Sequence, residues 1–214
     1  GTKPDVLFVV LDSMRRDHLG VYNEAIDFTE NIDRIAEEST VYGDAVAQAP
    51  WTLPSHASMF TGTYPWEHGA TNANAHFETD ERTLAETFRE EGYTTAAITP
   101  NIWVTPHKGL TDGFDDVENF LGVGGLTPLK KLYRAASRIV ERLDENNRRS
   151  IVEPLNRIFD AADIDTACRS EETIDAAVEF LEEHSEERFF LFVNLMEPHE
   201  PYDGSRDYRD LHGV

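Results

Sequence analysis

Asp5-Val-Leu-Phe-Val-Val-Leu is a continuous apolar and β-branched run that stops at the carboxylate of Asp12. A run without polar alternation predicts a strand buried on both faces of a parallel sheet, where helices cover either side. Parallel strands need long crossovers, so helices must follow. The segment from Phe28 to Glu38 sets Ile32, Ile35 and Ala36 on one stripe, as an amphipathic helix requires. Thr40–Ala49 alternates towards a short strand. A small-residue helix starts at Pro54, with Thr52 just ahead of it, and runs to about Phe60 before closing at Thr61-Gly62, where glycine accepts a left-handed cap.

Further along, Thr83–Glu91 reads as a helix with Leu84, Ala85 and Phe88 inward and Gly92 as its stop, and Thr94–Thr99 as a strand ended by Pro100. Ser170–Glu183 is a second amphipathic helix, with Ser170 as candidate cap and acidic residues in its first turn. Phe189–Met196 is the last core strand. This alternation predicts an α/β fold, a three-layer αβα sandwich with a mostly parallel central sheet. Residues 122–167 break the pattern with a Gly-Val-Gly-Gly loop and basic residues on helical spacing over Leu129–Glu145, which predicts a helical insertion. The 214 residues suit one domain.

Charge excludes several partners. Against 41 acidic residues stand 19 basic ones, a net charge of −22 that repels nucleic acid and anionic membranes. The acids spread over every segment, and the only lysines are Lys3, Lys108, Lys130 and Lys131. Such a chain needs screening, which ~1 M salt supplies by shortening the Debye length to ~3 Å, so a halophilic protein is expected. No run reaches the ~18 apolar residues of a membrane span. The sequence favours a soluble protein, cytoplasmic over secreted, and leaves the oligomeric state open. Cys168, the single cysteine, excludes an internal disulfide and fits a structural thiol.

Open α/β sheets place their sites beyond the carboxyl ends of strands. Asp12 ends the first strand, where a charge calls for a cation unless the carboxylate merely caps the next turn. The segment Ala49-Pro-Trp-Thr-Leu-Pro-Ser-His sets Thr52 at a helix start, whose positive end stabilises an anionic ester or the charge developing on a transferring group. A capping threonine would account for Thr52 alone equally well. A divalent cation shared with Asp12 would make its hydroxyl a nucleophile.

Taken together, Val-Leu-Asp-Ser-Met-Arg-Arg-Asp-His-Leu-Gly and Thr-Leu-Pro-Ser-His-Ala-Ser-Met-Phe-Thr-Gly-Thr-Tyr-Pro-Trp-Glu-His-Gly resemble the sulfatase family of the alkaline phosphatase superfamily. Gly92-Tyr-Thr-Thr-Ala-Ala, Gly113-Phe-Asp and Pro198-His-Glu-Pro-Tyr follow in that family's order. The resemblance implies that residues 1–214 are the N-terminal part of a sulfatase-like catalytic domain. Asp12 matches the first metal ligand, and Thr52 the nucleophile of the Cys/Ser-x-Pro-x-Arg signature, also touching the metal. His56 stands at the signature arginine and is expected to contact the transferred group or the nucleophile. His199 matches a histidine lining the substrate pocket, Asn101 lies near the place of a pocket lysine, and Asn72 or Asn74 are further pocket candidates. Lys108, beside Gly109, is either a sulfate-binding cation or a solvated loop residue. The remaining histidines, His18, His68, His76, His107, His184 and His212, lack ligand spacing and read as surface or turn residues.

Departures from the pattern shape the expected chemistry. Threonine cannot be oxidised to the formylglycine of authentic sulfatases. The resemblance at Thr52 extends to phosphoester and phosphonate hydrolases and to phosphoethanolamine transferases, which use a plain threonine hydroxyl. Ser13 replaces a second aspartate. Phosphoryl transfer is therefore favoured over sulfuryl transfer, on a small-molecule or glycan ester. The chain stops at Val214 before the Asp-His or Asp-Asn pair with which the family completes its metal site. One divalent ion, Ca, Mg, Mn or Zn, is expected in the complete enzyme, with weak or no binding by this chain alone. A phosphotransferase and a catalytically inactive binding module are the alternatives.

Overall fold

The computed structural model describes residues 3–71, 77, 79–120 and 170–199. The expected insertion at 122–167 and Cys168 lie outside them. Four strands, β1 (Val6–Leu11), β2 (Thr94–Thr99), β3 (Asp116–Asn119) and β4 (Phe189–Leu195), form one parallel sheet in the order β1-β4-β2-β3. Five α-helices are described: α1 (Glu30–Glu37), α2 (Thr52–Thr61), α3 (Pro65–His68), α4 (Leu84–Glu90) and α5 (Ser170–Glu183).

The central strand β4 explains the layering. Its side chains alternate, so Phe190 and Phe192 point to one face and Leu191 and Val193 to the other, and each is at most 4% exposed. Phe190 and Phe192 meet Leu53, Ala57 and Phe60 of α2 and Ala85 of α4. Leu191 and Val193 meet Ala176, Ala177 and Phe180 of α5. Helices thus cover both faces, which is the αβα sandwich. Local chemistry sets the helix ends. Thr83 Oγ1 accepts the Glu86 amide at 3.1 Å while Glu86 Oε2 accepts the Thr83 amide at 2.8 Å, the reciprocal cap that starts α4. Gly62, at φ 72°, ends α2 as its sequence predicts.

Three readings change. The first strand is not buried on both faces: Val6, Phe8 and Val10 pack inward, but Leu7 is 52% and Val9 47% exposed, because β1 is an edge strand that α5 does not cover. Thr40–Ala49 forms no strand, since it lies along no described strand edge and has no ladder to join. Helix α1 forms where expected but buries no residue, and Ile35 of its apolar stripe is 65% exposed. Strand β3 escaped notice because Asp-Val-Glu-Asn lacks the apolar alternation of a strand.

Candidate active site

All four strands are parallel, so their carboxyl ends open on one side of the sheet, where Asp12, Asn101 and the turn after β4 gather. Asp12 directly follows β1, and its amide extends the ladder by donating to the Leu195 carbonyl at 2.9 Å. Its carboxylate is 9% exposed. Oδ2 accepts the Thr52 hydroxyl at 3.2 Å and the Asn101 Nδ2 amide at 2.9 Å, and Oδ1 accepts the Ser13 hydroxyl at 3.1 Å. Ser13 reaches back by holding φ at 61°, a conformation unfavourable for a non-glycine residue and found where a site demands it.

Thr52 is the first residue of α2 rather than the residue ahead of it, with Trp51 as the cap. The Ser55 amide donates to Trp51 at 3.3 Å, the amides of Thr52 and Leu53 precede that first rung, and Pro54 has none. Thr52 therefore sits, 8% exposed, at the positive end of a helix and against a carboxylate.

His56 lies behind this point. It is 2% exposed, edge-on to Phe60 and Phe192, and its Nδ1 is 2.9 Å from the Thr52 backbone carbonyl. Its second nitrogen faces Asn194, and no hydrogen bond joins the ring to the Thr52 hydroxyl. Burial pushes the imidazole pKa below its ordinary value, against the opposing pull of the Asp12 charge and the Thr52 carbonyl. Asn101 is fixed on every side: its amide N–H donates to Thr99 Oγ1, its Oδ1 accepts the Trp103 amide at 2.9 Å, and its carbonyl accepts Asn119 Nδ2 at 2.9 Å.

Lys108 lies further out, its ammonium 4.9 Å over the Trp103 ring, which meets Trp51 edge-on at 5.2 Å. His199 occupies the turn after β4, its amide donating to Met196 at 2.9 Å. Asn72 and Asn74, like His76 and His212, fall outside the described residues. His68, read from the sequence as a surface or turn residue, ends α3 and is buried. Asn194 and Thr99 were missed. An asparagine inside Phe189–Met196 was the available signal, since a buried amide in an apolar strand needs partners.

Among the described residues the buried Asp12 carboxylate is held by neutral donors and no lysine or arginine pairs with it, so a cation would offset a charge there. The adjoining hydroxyls of Ser13 and Thr52 are hard oxygen donors that suit a divalent cation. Among the described residues no group of three His, Cys, Asp or Glu side chains accompanies it, so these residues fit part of a coordination shell.

The sulfatase family model matches residues 4–212. The chain belongs to the sulfatase family. This sulfatase-family chain is 27% identical over 227 residues to an arylsulfatase of Clostridium perfringens, covering 98% of itself and 46% of that protein. It is 28% identical over 130 residues to human N-acetylgalactosamine-6-sulfatase, covering 53% of itself and 24% of that enzyme. Among solved structures it is similar to the phosphonate monoester hydrolase of Agrobacterium radiobacter, with a TM-score of 0.65, 20% identity and coverage of 98% of this chain and 44% of that one. A protein solved with its substrate D-glucosamine-2-N,6-O-disulfate gives a TM-score of 0.66 at 18% identity, over 99% of this chain and 38% of the other. At such identities the structural likeness shows the alkaline-phosphatase-like fold alone. The sulfatase-family chain spans less than half the length of these relatives.

Proposed function

We propose that the full-length protein is a metal-dependent hydrolase of sulfate or phosphate esters in which Thr52 is the nucleophile and residues 1–214 form the N-terminal part of the catalytic domain, carrying an insertion at 122–167. The observation that carries this reading is one hydrogen bond: the Thr52 hydroxyl donates to Asp12 Oδ2 at 3.2 Å, at a helix N-terminus and beyond a strand end. Asp12 and Thr52 are the residues that would hold a divalent ion, Mg, Ca, Mn or Zn, which when bound lowers the hydroxyl pKa and offsets charge on the transferring group.

This chain's own residues do the rest. Asp12 orients the Thr52 hydroxyl and faces its proton. Thr52 Oγ1 gives up its proton to solvent and bonds to phosphorus or sulfur as the ester oxygen leaves and takes a proton from solvent, and water later displaces the group from Oγ1, which regains a proton as the free acid anion departs. The amides at the start of α2 stabilise the charge on the non-bridging oxygens. Asn101 keeps Asp12 in register. His199 and Lys108, on loops at the same end of the sheet, are the candidates for binding substrate. His56 enters through the Thr52 backbone rather than through the transferred group.

A plain threonine supports phosphoryl over sulfuryl transfer, whereas the curated relatives named above are sulfatases, so both ester classes belong in the assay. In the full-length protein with divalent metal, Thr52→Ala should abolish turnover of aryl phosphates and aryl sulfates. Undiminished turnover removes Thr52 from the mechanism. The acid excess supports function in concentrated salt, and unfolding that is equally easy in dilute and molar salt would end that reading.

A further inference from the structure

Asn194 is out of place by composition. It is fully buried in β4, in the otherwise apolar run Phe-Phe-Leu-Phe-Val-Asn-Leu, where an unsatisfied amide is costly and a β-branched residue would serve the strand better. Chemistry fixes the direction of its hydrogen bonds, starting from the one group that can only accept. The Thr52 carbonyl lies 2.9 Å from His56 Nδ1, so that nitrogen carries the proton and donates. In a neutral ring the lone pair is then on Nε2, which faces Asn194 Nδ2 at 3.5 Å and accepts from it. Asn194 Oδ1 is left to Thr99, whose hydroxyl donates across 3.4 Å. Thr99 Oγ1 in turn accepts the Asn101 amide at 3.0 Å.

Asn101 Nδ2 donates to Asp12 Oδ2, the oxygen that also accepts the Thr52 hydroxyl, and the circuit closes on the residue where it began. Its members come from β2, β4, α2 and the end of β1, and all are at most 9% exposed. Both nitrogens of His56 are committed inside it, and the ring is wedged between Phe60 and Phe192.

We propose that Asn194 and His56 are positioning residues for Thr52: Asn194 donates to the Nε2 lone pair of the tautomer that the Thr52 carbonyl selects and so holds the ring in place, and His56 holds the Thr52 carbonyl and with it the turn that aims the hydroxyl. This rests on Thr52 being the nucleophile. Because both residues are buried with their polar atoms spent within the circuit, their loss slows the chemical step and leaves substrate binding intact.

The test uses the full-length protein with metal. Nitrogen-15 NMR of labelled histidines at about pH 8, with the His56 signals assigned by their absence in His56→Phe, should show the Nδ1–H tautomer in the parent protein. In Asn194→Leu the Nδ1–H form should persist, held by the Thr52 carbonyl, while the Nε2 signal moves downfield as it loses its hydrogen bond. A parent ring protonated on Nε2, or an Nε2 signal indifferent to Asn194→Leu, overturns the proposal. In steady-state kinetics His56→Phe and Asn194→Leu should lower kcat about ten- to a hundredfold, the scale of a misplaced reacting group, with KM within about twofold. Unchanged kcat, or a loss carried by KM, also overturns it. Should His56→Phe fail to fold, His56→Asn and His56→Gln decide. Asparagine keeps a donor near the Nδ1 position and glutamine near Nε2, so the asparagine variant must be the more active. The two readings fail separately: an active Thr52→Ala protein removes the nucleophile, whereas the tautomer measurement does not depend on turnover.

Discussion

The carboxyl end of the sheet and the outer flank of β1 invert the usual relation between residue type and position. At the carboxyl end Asp12, Thr52, His56, Asn101 and Asn194 are all polar and at most 9% exposed. On the flank Leu7 and Val9 are 52% and 47% exposed, and away from β1 Ile35 of α1 and Tyr42 and Val46 beyond it are between 65% and 78% exposed. Hydrophobicity alone does not assign a residue to the core. A polar side chain can be buried when every donor finds an acceptor, as around Asp12 and Asn194, and an apolar one stays in water when no described element packs over it.

The largest effect should come from breaking the buried end chemically. Asp12→Asn removes the charge but keeps the shape, and in the full-length protein it should weaken divalent-metal binding by at least about a hundredfold, measured calorimetrically. Unchanged affinity would mean that the carboxylate serves only the hydrogen-bond circuit. Phe192→Ala empties a fully buried site under α2 and should cost about 3–5 kcal/mol in denaturant unfolding. A loss under about 1 kcal/mol would show the inner face to be loosely packed.

Gly113→Ala comes next. Gly113 holds φ at 98°, and a methyl group there would lie 2.4 Å from the Glu86 nitrogen and 2.9 Å from the Ala85 carbonyl carbon, so a loss of at least about 1–3 kcal/mol is expected. A stable variant would mean that the start of α4 can shift away from this turn.

His68 offers a gentler probe. Its Nδ1 accepts the Ala70 amide at 3.2 Å, so its proton sits on Nε2, 3.0 Å from Ser58 Oγ, and burial holds its pKa below the ordinary 6.5. Below pH 6.5 the unfolded chain binds the proton more readily than the folded one, so stability should fall as pH drops from 6.5 to the folded value and then level off. His68→Gln should remove part of that slope in unfolding curves collected between about pH 7 and 5. His56, shifted in the same direction by burial, adds to the slope. An unaltered slope would mean that His68 titrates as it does in water. The smallest effect should be Val46→Ser in the exposed segment after α1, within about 0.5 kcal/mol. A larger loss in the full-length protein than in residues 1–214 would show that further chain covers Val46.

Much of the fold was legible because local patterns and long-range packing agree in it. Thr94–Thr99, Phe189–Leu195 and Ser170–Glu183 carry the right period and bounded ends, and they form as read. Thr40–Ala49 misled because a strand exists only with a partner, which alternation cannot supply. Asp12, Thr52 and Asn101 could be singled out by motif and by strand ends. The asparagine in an apolar strand hinted at a buried partner but not at which one, since the Thr99–Asn194 and Asn194–His56 bonds join residues far apart in sequence that only the sheet and α2 bring together.

From its sequence alone this protein had its family, its αβα architecture and the identity of a carboxylate and a hydroxyl placed to meet, because strand ends and helix starts are local signals that need only the neighbouring residues. Tertiary structure decided that the Thr52 hydroxyl donates to the Asp12 carboxylate, that His56 addresses the backbone of Thr52 rather than its hydroxyl, and that one face of β1 is left bare. Those outcomes depend on strand order and on which surfaces lie within ~3 Å of one another, and hydrogen bonding acts only at that range.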